Sequence, residues 1–472
     1  MSVAERLGGP FSRPGPERAV EEEPQARSDR GFGGREALAA MVVLTAILVL
    51  LSTNLRWLVP IGAPGSTLPR WILGPIASLG NHDLPIAGPM ASACFGLITL
   101  GWLLVLRDAD SLPMRPVLWA IGLMYAMLLI APPLLSTDVF TYLSAGRLEV
   151  LHGINPYLHG PVVKPEDPVF GWTGLVWCDT PTVYGPVFSL ISAALANSSL
   201  AFGLWTLKVV AALSAVASAA LTWSIAKALD RPAIPAMLFV ALNPVLLIHG
   251  IGGGHNDLLM LAAVLLAVRL AVGSRPAAAG GVLAAAVAIK ATAGLVLPFL
   301  VIGAGRHVER GSRRAAAGFA AVFVTIGAVG TLIYGFSWLR IPSTIANGVT
   351  RNAGELSSIP GMIFGYGRLG ELGAPARIVL GVAGLICLIL AVRFALKGGE
   401  RWIAGAGFAI LAAMVFTSQL HPWYIVLILP FAALSDDRRV KGGAIALTIA
   451  VLLAIPLIRH LSPIGYAWPY GA

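Results

Sequence analysis

The 472-residue chain is 57% hydrophobic and only 12% charged, with a mean hydropathy of +0.80. Soluble domains average about 45–50% apolar and about 25% charged residues, so this composition excludes a water-soluble globular fold. The net charge of +10 comes from basic residues between apolar segments, a pattern typical of cytoplasmic membrane-protein loops and not of a nucleic-acid-binding surface.

Residues 1–35 mix Pro, Gly, Arg and Glu without an apolar period, which predicts a disordered cytoplasmic tail. The remaining residues, 36–472, form one transmembrane domain in this interpretation. Its first apolar stretch is too long and too far from the terminus for a cleaved signal peptide. A single crossing needs about 20 residues, and hydropathy predicts an all-α polytopic protein of about thirteen transmembrane helices. They are predicted at about 37–59, 88–106, 115–134, 202–228, 233–250, 257–272, 277–290, 293–305, 315–335, 377–397, 402–418, 422–434 and 442–459.

Charge placement predicts the topology, because Lys and Arg concentrate in the cytoplasmic loops of membrane proteins. With the N-terminus inside, most of the 33 Lys and Arg residues fall on the cytoplasmic side. The same rule divides residues 277–305 into two short crossings that meet near Lys290, because both flanks of this stretch are basic. Such a break is tolerated where the backbone lines a cavity and not lipid.

In this topology the distinctive polar residues gather on the external face. Two long loops, about 135–201 and 336–376, lie there together with two short polar interruptions of the apolar pattern. The first loop is predicted to contain two interfacial helices, about 139–151 and 187–198, that pack over a cavity without crossing the membrane. The function is therefore expected to reside on this face.

The first external helix carries two candidate functional residues. Asp138 follows an outward-running span, where a carboxylate suits a general base for a hydroxyl group; the alternative is a helix N-cap. Arg147 emerges from the apolar face of the helix, where a cation is costly without an anionic partner. A lipid phosphate and simple snorkelling to headgroups are both open as explanations for Arg147.

A second group of candidates combines the Gly-rich turn 252–257 with Lys290. Asp257 is a rival general base or a helix cap, and His255 is a candidate for binding phosphate, a metal or a sugar hydroxyl. Lys290 is an ionisable residue within an apolar stretch, and its ammonium is expected to face the same cavity as Asp138 and stabilise a departing phosphate. The alternative for Lys290 is a helix-end lysine that reaches interfacial water. No tight cluster of ligands predicts a metal site, and the metal requirement is left open.

The order and spacing of several motifs resemble the C-type (GT-C) integral membrane glycosyltransferases over nearly the whole chain after the tail. Within these, the chain looks most like the polyprenol-phosphomannose-dependent α-1,6-mannosyltransferases that build the mannan core of lipomannan and lipoarabinomannan. The motifs are Thr137-Asp138-Val139-Phe140-Thr141-Tyr142, Gly146-Arg147, Gly153-Ile154-Asn155-Pro156-Tyr157, Tyr184-Gly185-Pro186, Gly254-His255-Asn256-Asp257 and His421-Pro422-Trp423-Tyr424.

The resemblance implies a polyprenyl-phosphate-mannose donor, transfer with inversion, and an external carboxylate as base, a role that maps onto Asp138. It implies a growing α-1,6-mannan lipoglycan as acceptor, at the outer face of the plasma membrane. No further cofactor and no nucleic-acid partner are expected. Arg147, Lys290 and His255 are assigned to the donor phosphate. The residues assigned to substrate binding are Asn155, Tyr157, Tyr184, Asn256, His421, Trp423 and Tyr424.

Other classes of function stay open at this point. Related enzymes transfer other sugars from polyprenyl phosphate, such as arabinose or glucose. A lipid or sugar transporter or flippase would also have many spans, but it predicts paired broken helices in a repeated half, and the sequence shows no internal repeat. A non-catalytic membrane scaffold gives no reason for polar motifs to gather on one face.

Overall fold

The computed structural model describes residues 33–53, 69–79, 87–174, 177–345, 359–360, 373–417 and 420–454. Within these ranges all regular secondary structure is helical. The predicted tail up to residue 32 and much of the predicted loop 336–376 lie outside the described residues. The α-helices are α1 Gly34–Leu51, α2 Arg70–Leu73, α3 Ala87–Arg107, α4 Met114–Ile130, α5 Asp138–His152, α6 Pro186–Ala194, α7 Leu200–Ala228, α8 Ala233–Ala241, α9 Asp257–Val272, α10 Pro276–Ile289, α11 Leu297–His307, α12 Gly311–Tyr334, α13 Ala374–Leu396, α14 Arg401–Phe416, α15 Ile428–Leu434 and α16 Arg438–Ile449.

Five helices of the described chain are long and apolar enough to cross a membrane. They are Gly34–Leu51, Gly88–Arg107, Leu200–Ala228, Gly311–Ile345 and Ala374–Leu396. The number is six if α8 and the following π-helix Leu246–Gly252, which are bent by 57°, form one broken span. Other apolar helices have only 10–17 residues. The chain is therefore a helical membrane protein, and the predicted total of thirteen spans is not confirmed.

The predicted break near Lys290 is confirmed. Helix α10 ends at Ile289, Lys290 has extended backbone, and a 3₁₀ helix over Ala291–Val296 leads into α11. On its other side, α10 packs closely against α12. A Cβ atom added to Gly280 would come within 1.9 Å of the carbonyl oxygen of Ala315, so glycine is what allows the two backbones to approach.

The two helices predicted in the first external loop are present as α5 and α6. Helix α6 has nine residues and is about 14 Å long, too short for a hydrocarbon core of about 30 Å. It crosses α5 in close contact, because a Cβ on Gly146 would lie 2.1 Å from the carbonyl oxygen of Ser192. Its first turn is tied to the end of α10 by a hydrogen bond from the Gly185 N–H to the Ile289 carbonyl. These contacts hold α5, α6 and the Lys290 break together.

The burial of α5 does not divide into an apolar and a polar side. Its first half is buried on all sides, including Phe140, Tyr142 and Leu143. Only the distal apolar residues Val150 and Leu151 are exposed, at 43% and 41%. Helices α6 and α7 both pack against α5. Periodicity reports which residues share a face and gives no information on what covers it.

Asp167 ties the long loop after α5 back onto that helix. Its carboxylate accepts hydrogen bonds from Arg147 Nε at 3.0 Å, His152 Nε2 at 2.7 Å and the Val169 N–H at 3.0 Å. Burial alone would raise the pKa of Asp167, but the bonds from Arg147, His152 and the backbone hold it below its usual value. The ionised carboxylate therefore stabilises the fold above the pKa of the unfolded chain, and this contribution is lost as the pH falls through the lower pKa of the folded state.

Asp167→Asn is expected to destabilise the protein by about 2–3 kcal/mol at pH 7, because charge-assisted hydrogen bonds are lost. The difference from wild type should shrink as the pH is lowered below about 4, where the carboxyl group of the unfolded chain is protonated. Thermal unfolding of the detergent-purified proteins between pH 7 and pH 3 measures this. The matched control is Glu166→Gln, since Glu166 forms an exposed pair with Lys164 and should change stability by less than about 1 kcal/mol. An equal, pH-independent loss in both variants would contradict the prediction.

Candidate active site

Four separate segments of the chain bring polar side chains together at one end of the helix bundle. They are the start of α5, the turn before α9, the break after α10 and the 3₁₀ helix Pro422–Leu427. The contacts described below join these segments. Most of the residues selected from the sequence therefore share a single buried cluster, the polar centre. Its members are Asp138, Tyr184, His255, Asn256, Asp257, Lys290, His421, Trp423 and Tyr424.

Asp138 and His255 form the first contact of the polar centre. Nδ1 of His255 lies 3.4 Å from Oδ2 of Asp138, and both side chains are buried. The N-cap of α5 is Thr137, whose own side chain makes no capping hydrogen bond, and the N–H of Asp138 donates to the Ser136 hydroxyl at 3.1 Å. The alternative interpretation of Asp138 as a helix cap is therefore wrong, and its carboxylate is directed to the polar centre instead.

Asp257 and Lys290 form the second contact. The Lys290 ammonium donates to both carboxylate oxygens of Asp257, at 2.7 and 2.9 Å, in a pair whose side chains are only 10% and 2% exposed. The N-cap of α9 is Asn256, again without a side-chain capping bond, so Asp257 is not a cap either. Nor does Lys290 snorkel to interfacial water. The Lys290 ammonium therefore neutralises the charge of Asp257 within this pair.

The charge environment keeps Asp138 ionised. Burial alone would raise its pKa, but the contact with His255 and the nearby His421 and Lys290 lower it below the usual value for aspartate. Lys290 contacts both carboxylate oxygens of Asp257, whereas the contact of Asp138 is with a single nitrogen of His255. The two carboxylates therefore differ in environment, because Asp138 is ionised beside a histidine and Asp257 is paired with a lysine.

Aromatic rings form one wall of the polar centre. The ring of Trp423 stacks on His255 with 3.9 Å between centroids and on His421 with 4.7 Å. The ammonium of Lys290 lies 4.8 Å from the ring centroid of Tyr424 and 5.8 Å from that of Tyr184. Aromatic faces next to a carboxylate and a cation suit the binding of a sugar ring and its anionic leaving group.

Several buried polar atoms in or next to the polar centre have no hydrogen-bond partner among the described residues. They include Oγ1 of Thr137, Oγ1 of Thr141 and Nδ2 of Asn256. The amide oxygen of Asn256 is 3.4 Å from the Tyr142 hydroxyl, which orients the amide and leaves its NH₂ group available. Buried polar groups are nearly always paired in native proteins, so these atoms are available to bond water or a polar ligand.

Three residues selected from the sequence do not join the polar centre. Arg147 pairs with Asp167 and also donates to the Ala196 carbonyl at 3.2 Å. The Asn155 amide donates to the Tyr334 carbonyl and to Ser337, linking the first loop to the end of α12. Tyr157 is buried, and its hydroxyl contacts the Tyr184 carbonyl and Ser189. These three side chains fix the loop after α5 to the neighbouring helices and do not contact the polar centre's carboxylates.

Sequence reasoning missed two residues next to the polar centre. Tyr142 packs edge-on against Tyr184 with 5.0 Å between ring centroids, but as one tyrosine among several it carried no distinguishing signal. Lys208 lies within the apolar helix α7 and is fully buried. The rule that singled out Lys290, an ionisable residue within an apolar stretch, applies equally to Lys208 and would have found it.

A model of a known protein family matches the part of the chain that carries most of the polar centre. The family model described as alpha-(1->6)-mannopyranosyltransferase, N-terminal domain, matches residues 38–306. This segment is more than half of the chain and contains Asp138, His255, Asp257 and Lys290. The chain belongs to this family and is a glycosyltransferase.

Curated relatives carry the same designation. The chain is 28% identical over 417 residues to alpha-(1->6)-mannopyranosyltransferase A of Mycobacterium tuberculosis, covering 79% of this chain and 76% of the relative. It is 29% identical over 346 residues to the protein of that name from Corynebacterium glutamicum, covering 64% and 68%. It is 25% identical over 391 residues to alpha-(1->6)-mannopyranosyltransferase B of the same organism, covering 74% and 63%. No solved structure shows a significant match to the chain.

Proposed function

We propose that the protein transfers a mannosyl residue from polyprenyl-phosphate mannose to a growing α-1,6-mannan lipoglycan at the outer face of the plasma membrane. The names of the relatives support the sugar and the linkage. The observation that supports this mechanism is that the two carboxylates of the polar centre have different partners. Asp138 is oriented by a histidine, and Asp257 is held by the Lys290 ammonium.

In this proposal the acceptor hydroxyl oxygen attacks the anomeric carbon of the mannose, and the bond from that carbon to the phosphate oxygen breaks. Polyprenyl phosphate leaves with the bonding electron pair, and the ammonium of Lys290 stabilises its negative charge. Asp138 takes the proton of the acceptor hydroxyl. This hydroxyl becomes acidic as its oxygen bonds to the anomeric carbon, so a carboxylate with a low pKa suffices as the base.

The topology follows from the same proposal. The proposal assigns the polar centre to the external face, because the basic segments between spans fall on the other side when the N-terminus is cytoplasmic. A donor already anchored in the membrane then delivers its phosphate to Lys290, and a hydrophilic acceptor approaches Asp138 from outside. The thirteen-span arrangement remains a prediction within this proposal.

The test is transfer by purified protein in proteoliposomes, with radiolabelled polyprenyl-phosphate mannose and a short α-1,6-mannan acceptor. The expected product is an acceptor longer by one mannose, resistant to alkali and cleaved by an α-1,6-specific mannosidase. Transfer from polyprenyl-phosphate arabinose or glucose instead would reassign the donor sugar. Movement of the intact donor between leaflets without any product would replace the enzyme with a flippase. Labelling of single cysteines introduced near Asp138, in intact cells, tests the external orientation.

A further inference from the structure

Lys208 makes an unusual contact beside the polar centre. This residue of α7 is fully buried, and its ammonium donates to the carbonyl oxygen of Gly252 at 2.9 Å. The same oxygen accepts a hydrogen bond from the N–H of Leu134 at 3.0 Å. One carbonyl oxygen therefore joins three separate parts of the chain.

Two of these parts carry the carboxylates of the polar centre. Leu134 lies in the segment that leads from α4 into Asp138. Gly252 ends the π-helix Leu246–Gly252 and opens the turn that contains His255 and Asp257. π-Helical turns leave irregular backbone groups and are frequent at functional sites. The third part, α7, is a long apolar helix that provides a rigid support for the other two.

The side chain of Lys208 also packs against the turn. Gly254 has a left-handed backbone, with φ of +70°, which glycine adopts without strain. A Cβ on Gly254 would lie 3.3 Å from Cγ of Lys208 and 3.9 Å from Cγ2 of Val139 in α5. The lysine stem therefore lies directly beneath the turn that presents His255 to Asp138.

A buried ionisable side chain is expensive in a membrane protein, and among the described residues Lys208 has one hydrogen-bond acceptor, the carbonyl of Gly252. A leucine or methionine would fill the same volume without that cost. We propose that Lys208 is a positioning residue, which fixes the Asp138 segment and the His255–Asp257 turn relative to each other through the carbonyl of Gly252. This inference rests on the proposed function, because its effect is measured as sugar transfer.

Lys208→Met is expected to lower kcat for transfer by about 10–100-fold, since misplacing reacting groups by about 1 Å costs on that order. The KM for the lipid-linked donor should stay within about threefold of wild type, because Lys208 bonds a backbone carbonyl and not the donor. The matched control is Lys227→Met on the same helix. Lys227 is exposed and lies over Trp223, so both constants should be unchanged.

Two further variants separate positioning from simple loss of stability. Lys208→Arg keeps a donor for the Gly252 carbonyl and is expected to recover at least about a tenth of the wild-type kcat. Gly254→Ala keeps Lys208 but strains the turn and crowds its stem, so it should lower kcat without raising the donor KM. Thermal unfolding and size-exclusion profiles establish that each variant is folded, and Gly254→Ala carries the test if Lys208→Met does not fold.

A kcat for Lys208→Met within about twofold of wild type would overturn the proposal. A raised donor KM with unchanged kcat would also overturn it and assign Lys208 to the donor phosphate. An absence of transfer by wild-type protein is a separate result, which would count against the proposed function and not against the positioning role. In that case the role is tested directly by measuring the distance between spin labels on the Asp138 segment and the 252–257 turn. The same distribution of distances in Lys208→Met as in wild type would overturn the proposal.

Discussion

Asp138→Asn is expected to lower kcat for sugar transfer by about 10²–10⁴-fold, the usual contribution of general acid–base catalysis. Asparagine preserves the shape of the side chain and its neighbour His255 but cannot accept the proton of the acceptor hydroxyl. Thermal unfolding should change little, because Asp138 makes no capping bond whose loss would cost about 1 kcal/mol. Turnover by equal amounts of purified wild-type and variant protein, at saturating donor and acceptor, measures the effect.

The matched control is Asp110→Asn, an exposed aspartate in the short turn Ala109–Ser111, which should leave kcat unchanged. Wild-type enzyme should also show no loss of kcat/KM from protonation of Asp138 until the pH falls below about 4, since the pKa of this carboxyl is below its usual value. Near-normal turnover by Asp138→Asn would contradict the assignment and pass the role of base to Asp257.

The co-location of most residues of the polar centre could be predicted from the sequence. Asp138, His255, Lys290 and His421 each lie where a predicted external segment meets a span, and residues at the same end of a helix bundle are neighbours. Topology inferred from Lys and Arg placement therefore acted as a coarse distance constraint. It also located the break at Lys290, because basic residues on both flanks required an even number of crossings.

The pairing within the polar centre could not be predicted in this way. Lys290 and Asp257 are 33 residues apart, on different helices, and their contact depends on how α9 and α10 pack. Hydropathy gives no packing angle, so the sequence predicts Asp138 as the base with Asp257 as its rival and does not show that the Lys290 ammonium contacts Asp257. A helix cap also needs backbone geometry to be recognised, and neither aspartate has it.

Loop residues were the hardest to assign. The sequence assigns Arg147 to a phosphate because it emerges from the apolar face of a predicted helix. Its partner, Asp167, lies 20 residues further along in a loop without a periodic pattern. Asn155 similarly bonds Tyr334, 179 residues away. Motif resemblance identifies such residues but does not distinguish those that contact substrate from those that hold the loop.

The Lys290–Asp257 pair allows a double-mutant cycle that separates its structural role from its chemical one. Lys290→Met leaves Asp257 as a buried carboxylate without a cation, and Asp257→Asn leaves Lys290 as a buried cation without an anion. Breaking a buried ion pair by removing one partner costs about 3–5 kcal/mol. The double variant has no uncompensated charge, so it is expected to recover most of that stability.

Activity should behave differently from stability in the same cycle. If Lys290 stabilises the departing phosphate, Lys290→Met lowers kcat by about 10²–10³-fold, as is typical for loss of one group that stabilises charge in the transition state. The double variant then stays inactive although it is stable, because its phosphate contact is still missing. Asp257→Asn alone retains the ammonium and is expected to keep more activity than either variant that lacks Lys290.

The control cycle uses Lys164→Met and Glu166→Gln, an ion pair of similar length on the loop surface, with side chains 32% and 64% exposed. Its coupling energy should be below about 1 kcal/mol, and its variants should keep wild-type turnover. Unfolding midpoints and kcat are measured for all variants at one pH. Recovery of both stability and turnover in the Lys290→Met/Asp257→Asn double variant would show that Lys290 serves only to neutralise Asp257. The stabilisation of the leaving phosphate would then have to come from another group of the polar centre.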